Sequence, residues 1–309
     1  MGGTQSLDHI GILEGTDKTS LANDYLRHYE RVLSGFRNVP IQLLEVGIAE
    51  GASLRTWERF LPSATIIGVD IHTGCRRFAG GRIAVEIGSQ ADPEFLATMA
   101  AKYQPTVIID DGSHQSAHVF LTFERLFPAL RPGGVYIIED VHLHHGICAP
   151  KYHAQGGITP TDYLAEIGRQ LSTGDLDTGS ADATKRLIGA IDRIEFIPRA
   201  VVIYKRDEDD IKTRLDYLFN AAQQADQPLT WFHLSRVLMD NGDLARAEFT
   251  VQRAITIAPD RVAHWPRLAD VQARRGKLAE AIETLREGIR MDPANASLRS
   301  TLARLEGRL

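Results

Sequence analysis

Cysteine is scarce in this 309-residue sequence, with Cys75 and Cys148 making up the whole complement. Two cysteines cannot form a disulfide framework, and a chain of about two domains' length, at roughly 100–200 residues each, does not need one to bury a core. No apolar run approaches the ~18 residues of a membrane helix. The first residues, Met1-Gly-Gly-Thr-Gln-Ser6, lack the basic and apolar regions of a signal peptide. The expected compartment is therefore a reducing cytoplasm, with no membrane contact. An excess of positive charge is also missing: 35 Lys+Arg face 40 Asp+Glu, a formal net charge of -5. That balance speaks against a general nucleic-acid binder. With 43% hydrophobic and 24% charged residues, the composition fits a folded chain and excludes a disordered one.

The charge is unevenly divided. From Leu229 onward there are 13 basic and 10 acidic residues, whereas the first 228 residues hold 22 basic against 30 acidic. The C-terminal part also repeats itself with a period of 34. Trp231, Leu234, Gly242, Leu244, Ala245, Ala247, Thr250, Ile255 and Pro259 recur as Trp265, Leu268, Gly276, Leu278, Ala279, Ala281, Thr284, Ile289 and Pro293. Each unit reads as a helix, a glycine turn, a second helix with small residues for close contact, and a proline stop. This pattern resembles the tetratricopeptide repeat. Residues 296–305 read as a capping helix and 217–225 as a degenerate helix leading in.

The N-terminal part alternates short β-branched runs with amphipathic stretches. Residues 41–47, 65–70, 82–86, 106–110 and 135–139 read as buried parallel strands. Residues 53–60, 93–102, 117–130 and 161–187 read as helices, the third stopped by Arg131-Pro-Gly-Gly134. Residues 191–197 and 200–206, joined by Pro198-Arg199, must form an antiparallel hairpin. The expected fold is α/β: a doubly wound, mostly parallel seven-stranded sheet with ligands at the carboxyl ends of its strands, followed by an all-α repeat domain. A parallel sheet closed by such a hairpin resembles the class I S-adenosylmethionine-dependent methyltransferases.

The first strand runs into Glu45-Val-Gly-Ile-Ala-Glu-Gly51, where Gly47 and Gly51 let the backbone approach a ligand before the helix at Ser53. Asp70, about 20 residues on, can accept hydrogen bonds from ribose hydroxyls, a role NAD would fill equally well. The Gly-x-Gly-x-x-Gly spacing for a pyrophosphate is missing, which favours a nucleoside without phosphates. Ser89 and Gln90 follow the third strand, within reach of a base edge. Asp92 before Pro93 reads as a helix N-cap. Asp110-Asp-Gly-Ser-His114 follows the fourth strand and Glu139-Asp140 the fifth. Carboxylates at adjacent strand ends repel one another unless a cation or proton lies between them, and their hard oxygens favour magnesium over zinc. His114 is then a candidate general base toward an acceptor hydroxyl. The plainer alternative makes Asp110 and Asp111 helix caps and His114 a surface residue. His142, in Val141-His-Leu-His-His-Gly146, is an additional candidate only.

Leu43-Leu-Glu-Val-Gly47, Ser53-Leu-Arg-Thr-Trp57, Gly68-Val-Asp70, Gly88-Ser-Gln90, Ile109-Asp-Asp-Gly-Ser-His114 and Pro132-Gly-Gly-Val-Tyr-Ile-Ile-Glu-Asp140 together resemble the sugar O-methyltransferases of macrolide pathways, the mycinamicin and demethylmacrocin type. The resemblance covers roughly residues 16–206 and takes in Gly15-Thr-Asp-Lys18 and the segment with Tyr25, Tyr29 and Glu30. It implies a metal held by Asp111 and Asp140, with Glu139 beside them, a base at His114, and S-adenosylmethionine contacts from Gly47, Asp70, Ser89 and Gln90. Glu45, Gly51, Ser53 and Asp110 are counted with the cofactor-binding positions. A third protein ligand to the metal is expected without an assigned residue. The repeat tail departs from that family.

The expected domains are a helical segment over 1–40, a methyltransferase domain over 41–207, a linker or helix over 208–228 and the repeats with their cap over 229–309. The expected reaction is magnesium-dependent methyl transfer from S-adenosylmethionine to a sugar hydroxyl of a small-molecule or glycan acceptor, with the repeats free to bind a protein partner or a second copy. Two other readings stay open: a hydroxylase on the similar cephalosporin hydroxylase-like scaffold, and a repeat-mediated interaction protein whose α/β domain senses a ligand.

Overall fold

The structure is a computed structural model and describes residues 5–154, 157–173 and 187–307. It divides into two compact units, Met1–Glu208 and Asp209–Leu309.

The first unit is built on a seven-stranded sheet. Its strands are β1 Gln42–Val46, β2 Thr65–Asp70, β3 Ile83–Ile87, β4 Val107–Asp110, β5 Val135–Ile138, β6 Ile191–Ile197 and β7 Ala200–Lys205, in the order β3-β2-β1-β4-β5-β7-β6. The first five are parallel, and β7 runs antiparallel to both β5 and β6. The order reverses between β1 and β4, which opens the crevice where such sheets bind ligands.

Side chains alternate across the sheet because successive Cβ atoms point to opposite faces. Leu43, Ile66, Val107, Ile109 and Ile137 pack on one face with the helices α1 Leu7–Glu14, α2 Leu26–Leu33 and α3 Ala52–Phe60. Leu44, Ile67, Val69, Ile108 and Tyr136 pack on the other with α4 Pro93–Lys102 and α5 Ser116–Leu126. The segment before β1 is thus part of the core, with Leu7, Tyr25, Leu26 and Leu33 buried in it. Asp92 caps α4 through the N–H groups of Glu94 and Phe95, as its place before proline implies. The helix expected over 161–187 is seen as Pro160–Thr173, and its remainder, 174–186, lies outside the described residues. A 3-10 segment, Thr73–Phe78, was not legible, because it carries no apolar period to read.

The second unit is a run of helices: Glu208–Ala225, Pro228–Asp240, Leu244–Ile257, His264–Arg274, Leu278–Met291 and Ala296–Glu306. Ala247 and Ala281 are fully buried at equivalent repeat positions. Gly242 and Gly276 turn the chain at φ 77° and 78°, the left-handed region that favours glycine. Where the first unit of the repeat has Ala254 the second has Gly288, and a Cβ there would lie 2.7 Å from Trp265 Cβ. No helix among the described residues is long and apolar enough to cross a membrane.

Candidate active site

Five parallel strands end along one edge, and their loops line an open-mouthed cavity of about 540 Å³. That volume suits a small organic ligand. Gly47, Asp70, Ser89, Gln90, Asp111, His114 and Asp140 all lie in its wall. A smaller pocket of about 240 Å³ adjoins it and shares Asp17, Gly47, Ala49 and Asp111.

Gly47 has φ +85°, and a Cβ built on it would lie 2.0 Å from the carbonyl oxygen of Asp111. Glycine is required here because the ends of β1 and β4 close on each other, a constraint that adds to the approach to the cavity which Gly47 lines. Gly51, at φ +69°, is confined in the same way by the Phe78 ring, 2.7 Å from the site of a Cβ. Asp70 braces the turn between these glycines: its Oδ2 accepts from the N–H groups of Ile48 (3.1 Å) and Ala49 (3.2 Å), and Oδ1 from that of His72 (2.8 Å). Gln90 is fixed at both ends, donating through Nε2 to Asp110 Oδ1 at 2.5 Å and accepting at Oε1 from Ser113 N at 2.8 Å.

Four expected residues are not brought to either pocket wall. Glu45 is fully buried; its Oε2 accepts from Ser53 Oγ at 2.7 Å and Trp57 Nε1 at 3.0 Å. Burial pushes the Glu45 carboxyl up to about 7, against the pull of Lys18. Burial likewise pushes Asp110 up to about 7, and its oxygens serve Gln90 and the Tyr136 hydroxyl. Gly51 is covered by Phe78. Glu139, expected as a metal ligand, turns instead to Lys18, with Oε2 2.6 Å from Nζ. Ser53 borders the smaller pocket only.

Asp111, His114 and Asp140 do converge, each offering one ligand atom within 4.8 Å of the others. His114 Nε2 lies 3.6 Å from Asp140 Oδ2. His114 and Asp140 both adopt a left-handed backbone, at φ 57° each, which non-glycine residues rarely do. Such conformations persist where the surrounding structure holds them, and they gather at functional sites. Neither Asp110 nor Asp111 caps α5, whose N-cap is Gln115, so the plainer alternative does not describe this loop. His142, more exposed, stands 3.8 Å from Asp140 Oδ1.

Sequence reasoning assigned no role to Lys18. Its ammonium is 2% exposed and lies 2.5 Å from Asp111 Oδ2, 2.6 Å from Glu139 Oε2 and 3.6 Å from Glu45 Oε1. Burial alone would lower its pKa, but the three carboxylates hold it well above the usual lysine value. Burial and the neighbouring Asp111 push Glu139 well above the carboxylate range. Three acidic groups thus share a single ammonium, with Asp140 next to Asp111 at the cavity, and among the described residues the buried oxygens Glu45 Oε1 and Glu139 Oε1 have no hydrogen-bond partner. Hard oxygen donors, an imidazole nitrogen and an excess of negative charge together fit a divalent cation.

Comparison with known proteins gives the same direction. The L-olivosyl-oleandolide 3-O-methyltransferase of Streptomyces antibioticus is 38% identical over 146 residues, 44% of this chain and 37% of that protein. The mycinamicin VI 2''-O-methyltransferase of Micromonospora griseorubida is 40% identical over 134 residues, 41% of this chain and 33% of that protein. The chain's homologues are sugar O-methyltransferases. This chain spans about a third of the length of those relatives. A solved structure of the MycE methyltransferase from the mycinamycin biosynthetic pathway, in complex with Mg, SAH and mycinamycin VI, shares the fold. It has a TM-score of 0.58 at 28% identity, covering 67% of this chain and 56% of that one. The tetratricopeptide repeat family matches residues 229–261 and 265–295, in register with the 34-residue period.

Proposed function

We propose that this chain is a magnesium-dependent O-methyltransferase that transfers a methyl group from S-adenosylmethionine to a sugar hydroxyl of a glycosylated natural product. The observation that carries this reading is the shared cavity: Asp70 and Gln90 line the same space as the Asp111, His114 and Asp140 group. A nucleoside recognised at one end therefore ends beside an acidic cluster at the other. Asp70, Ser89 and Gln90 would hold the nucleoside, and Asp111 and Asp140 the cation. When bound, these two groups supply an activated methyl group and a Lewis-acid charge that makes an alcohol easier to deprotonate.

The chain's own residues then do three things. The cavity wall fixes acceptor and donor in one geometry, which by itself removes a large entropic part of the barrier. His114 Nε2 takes the acceptor's proton, and Asp140 Oδ2, 3.6 Å away, stabilises the resulting imidazolium. Asp110, buried behind the wall, keeps Gln90 oriented. The repeats, with two matched units, would serve a protein partner or a second copy of the chain.

A second role for His114 is supported by the same distances, since its Nε2 is also the third donor atom of the group. H114A separates the two: a base loses turnover and keeps cation binding, whereas a ligand loses both. Calorimetric titration of S-adenosylhomocysteine with and without magnesium tests the whole reading. Binding of the nucleoside and of one magnesium ion is expected. Full activity of D111A and D140A in the presence of a chelator would refute the metal-dependent reaction.

A further inference from the structure

The two acidic strand ends are both gripped by one short segment between α1 and α2. Lys18 Nζ donates to Asp111 Oδ2 at 2.5 Å, and the Tyr25 hydroxyl donates to Asp140 Oδ1 at 2.6 Å. Lys18 and Tyr25 are also tied to each other, because the Lys18 carbonyl accepts from the N–H groups of Tyr25 (2.9 Å) and Leu26 (3.0 Å). The segment is a closed loop whose two ends present one donor each.

The pattern of occupied oxygens is the informative part. In each carboxylate the segment takes one oxygen and leaves the other. Asp140 Oδ2 faces His114 Nε2 at 3.6 Å, while Asp111 Oδ1 accepts no hydrogen bond among the described residues. A carboxylate with neither oxygen fixed rotates about its own axis and presents its lone pairs in many directions. One hydrogen bond removes that freedom. Both donors are themselves rigid: Tyr25 is buried and stacks on Tyr29 with ring centroids 5.7 Å apart and planes 4° apart, and Lys18 is held by Glu139 and Glu45.

We infer that Lys18 and Tyr25 are the positioning residues of the candidate metal centre, orienting Asp111 and Asp140 so that their free oxygens converge on one divalent cation. This rests on the reading of Asp111 and Asp140 as ligands given above. Outer groups that hydrogen-bond metal-ligating carboxylates set the affinity of the site, and their loss costs about 10–100-fold in metal binding.

The test is calorimetric titration of magnesium into the full chain, wild type and Y25F, with S-adenosylhomocysteine titrated in parallel and thermal melting recorded for each. Tyr25→Phe removes one hydroxyl and keeps the buried ring. Magnesium affinity is expected to fall by about tenfold or more, with nucleoside affinity unchanged within about twofold. A residue that served the fold alone would lower the melting temperature and leave magnesium affinity where it was. Lys18→Arg keeps the charge, moves the donor and carries the same expectation, so the test survives if Y25F does not fold. Magnesium affinity in both variants within about threefold of wild type overturns the inference, as does a parallel fall in nucleoside affinity. A wild-type chain that binds the nucleoside and no magnesium overturns the metal reading itself, before any variant is made.

Discussion

The two units of this chain handle charge in opposite ways. In the α/β unit three carboxylates gather around one buried lysine, and two of them, Glu45 and Glu139, are themselves shut off from water. In the helical unit most charges are matched in surface pairs along the helices, such as Arg274 with Asp270, Arg286 with Glu283 and Arg290 with Glu287, and the buried Glu248 is matched by both Arg275 and Lys277. Surface pairs of this kind contribute about 0–1 kcal/mol each. Burying several like charges is costly unless a cation compensates them. The first arrangement is therefore a site under tension, and the second a solvated surface.

That contrast can be broken at several points. The largest effect is expected at Asp140→Asn, which removes a carboxylate from the converging group. Turnover should fall by about 100-fold or more, since a Lewis-acid charge supplies several kcal/mol and each 1.4 kcal/mol is tenfold. A methyl-transfer assay with a circular dichroism control checks it. Next comes Lys18→Met, which leaves Glu139 and Asp111 without their ammonium. Breaking a buried pair in this way costs about 3–5 kcal/mol, to be read as a shift in a denaturant midpoint. On the helical side, Trp231→Ala should cost about 3–5 kcal/mol through the cavity it leaves. Trp265→Ala should cost less, because Trp265 is only half-buried where Trp231 is fully buried.

The comparison extends to pH. Glu45 is held near 7 by burial, above the usual carboxylate value of about 4.3. The folded chain thus keeps a proton that the unfolded chain releases between those two values. Stability falls as pH rises across that window, and Glu45→Gln should flatten this part of the curve in a series of urea melts. The smallest effect is expected at Arg286→Ala, with no measurable shift in the urea midpoint, since its partners Glu283 and Glu306 are solvated.

Asp111, His114 and Asp140 were legible in the sequence because their strands are adjacent and parallel, so residues just past the ends of β4 and β5 must meet. The repeats were legible for a related reason: the period of 34 fixes which residues face inward. Lys18 and Tyr25 were not. Lys18 lies 93 residues from Asp111 and Tyr25 115 residues from Asp140, and no pattern of spacing encodes such contacts. Their block was visible as part of a resemblance, without the partners that give it meaning. Glu139 was misplaced for the same reason, since its neighbour is Lys18 and not the cavity. Glu45 and Asp110 were counted with the cofactor-binding positions because they stand in the blocks that carry them, but side chains alternate along a strand, and both carboxyls are buried in protein.

The contact between Gly47 and the Asp111 carbonyl reaches beyond the choice of glycine. Any side chain added at position 47 would have to push the loop that carries Asp111, so a substitution in the turn after β1 is felt at a carboxylate more than sixty residues further along the chain.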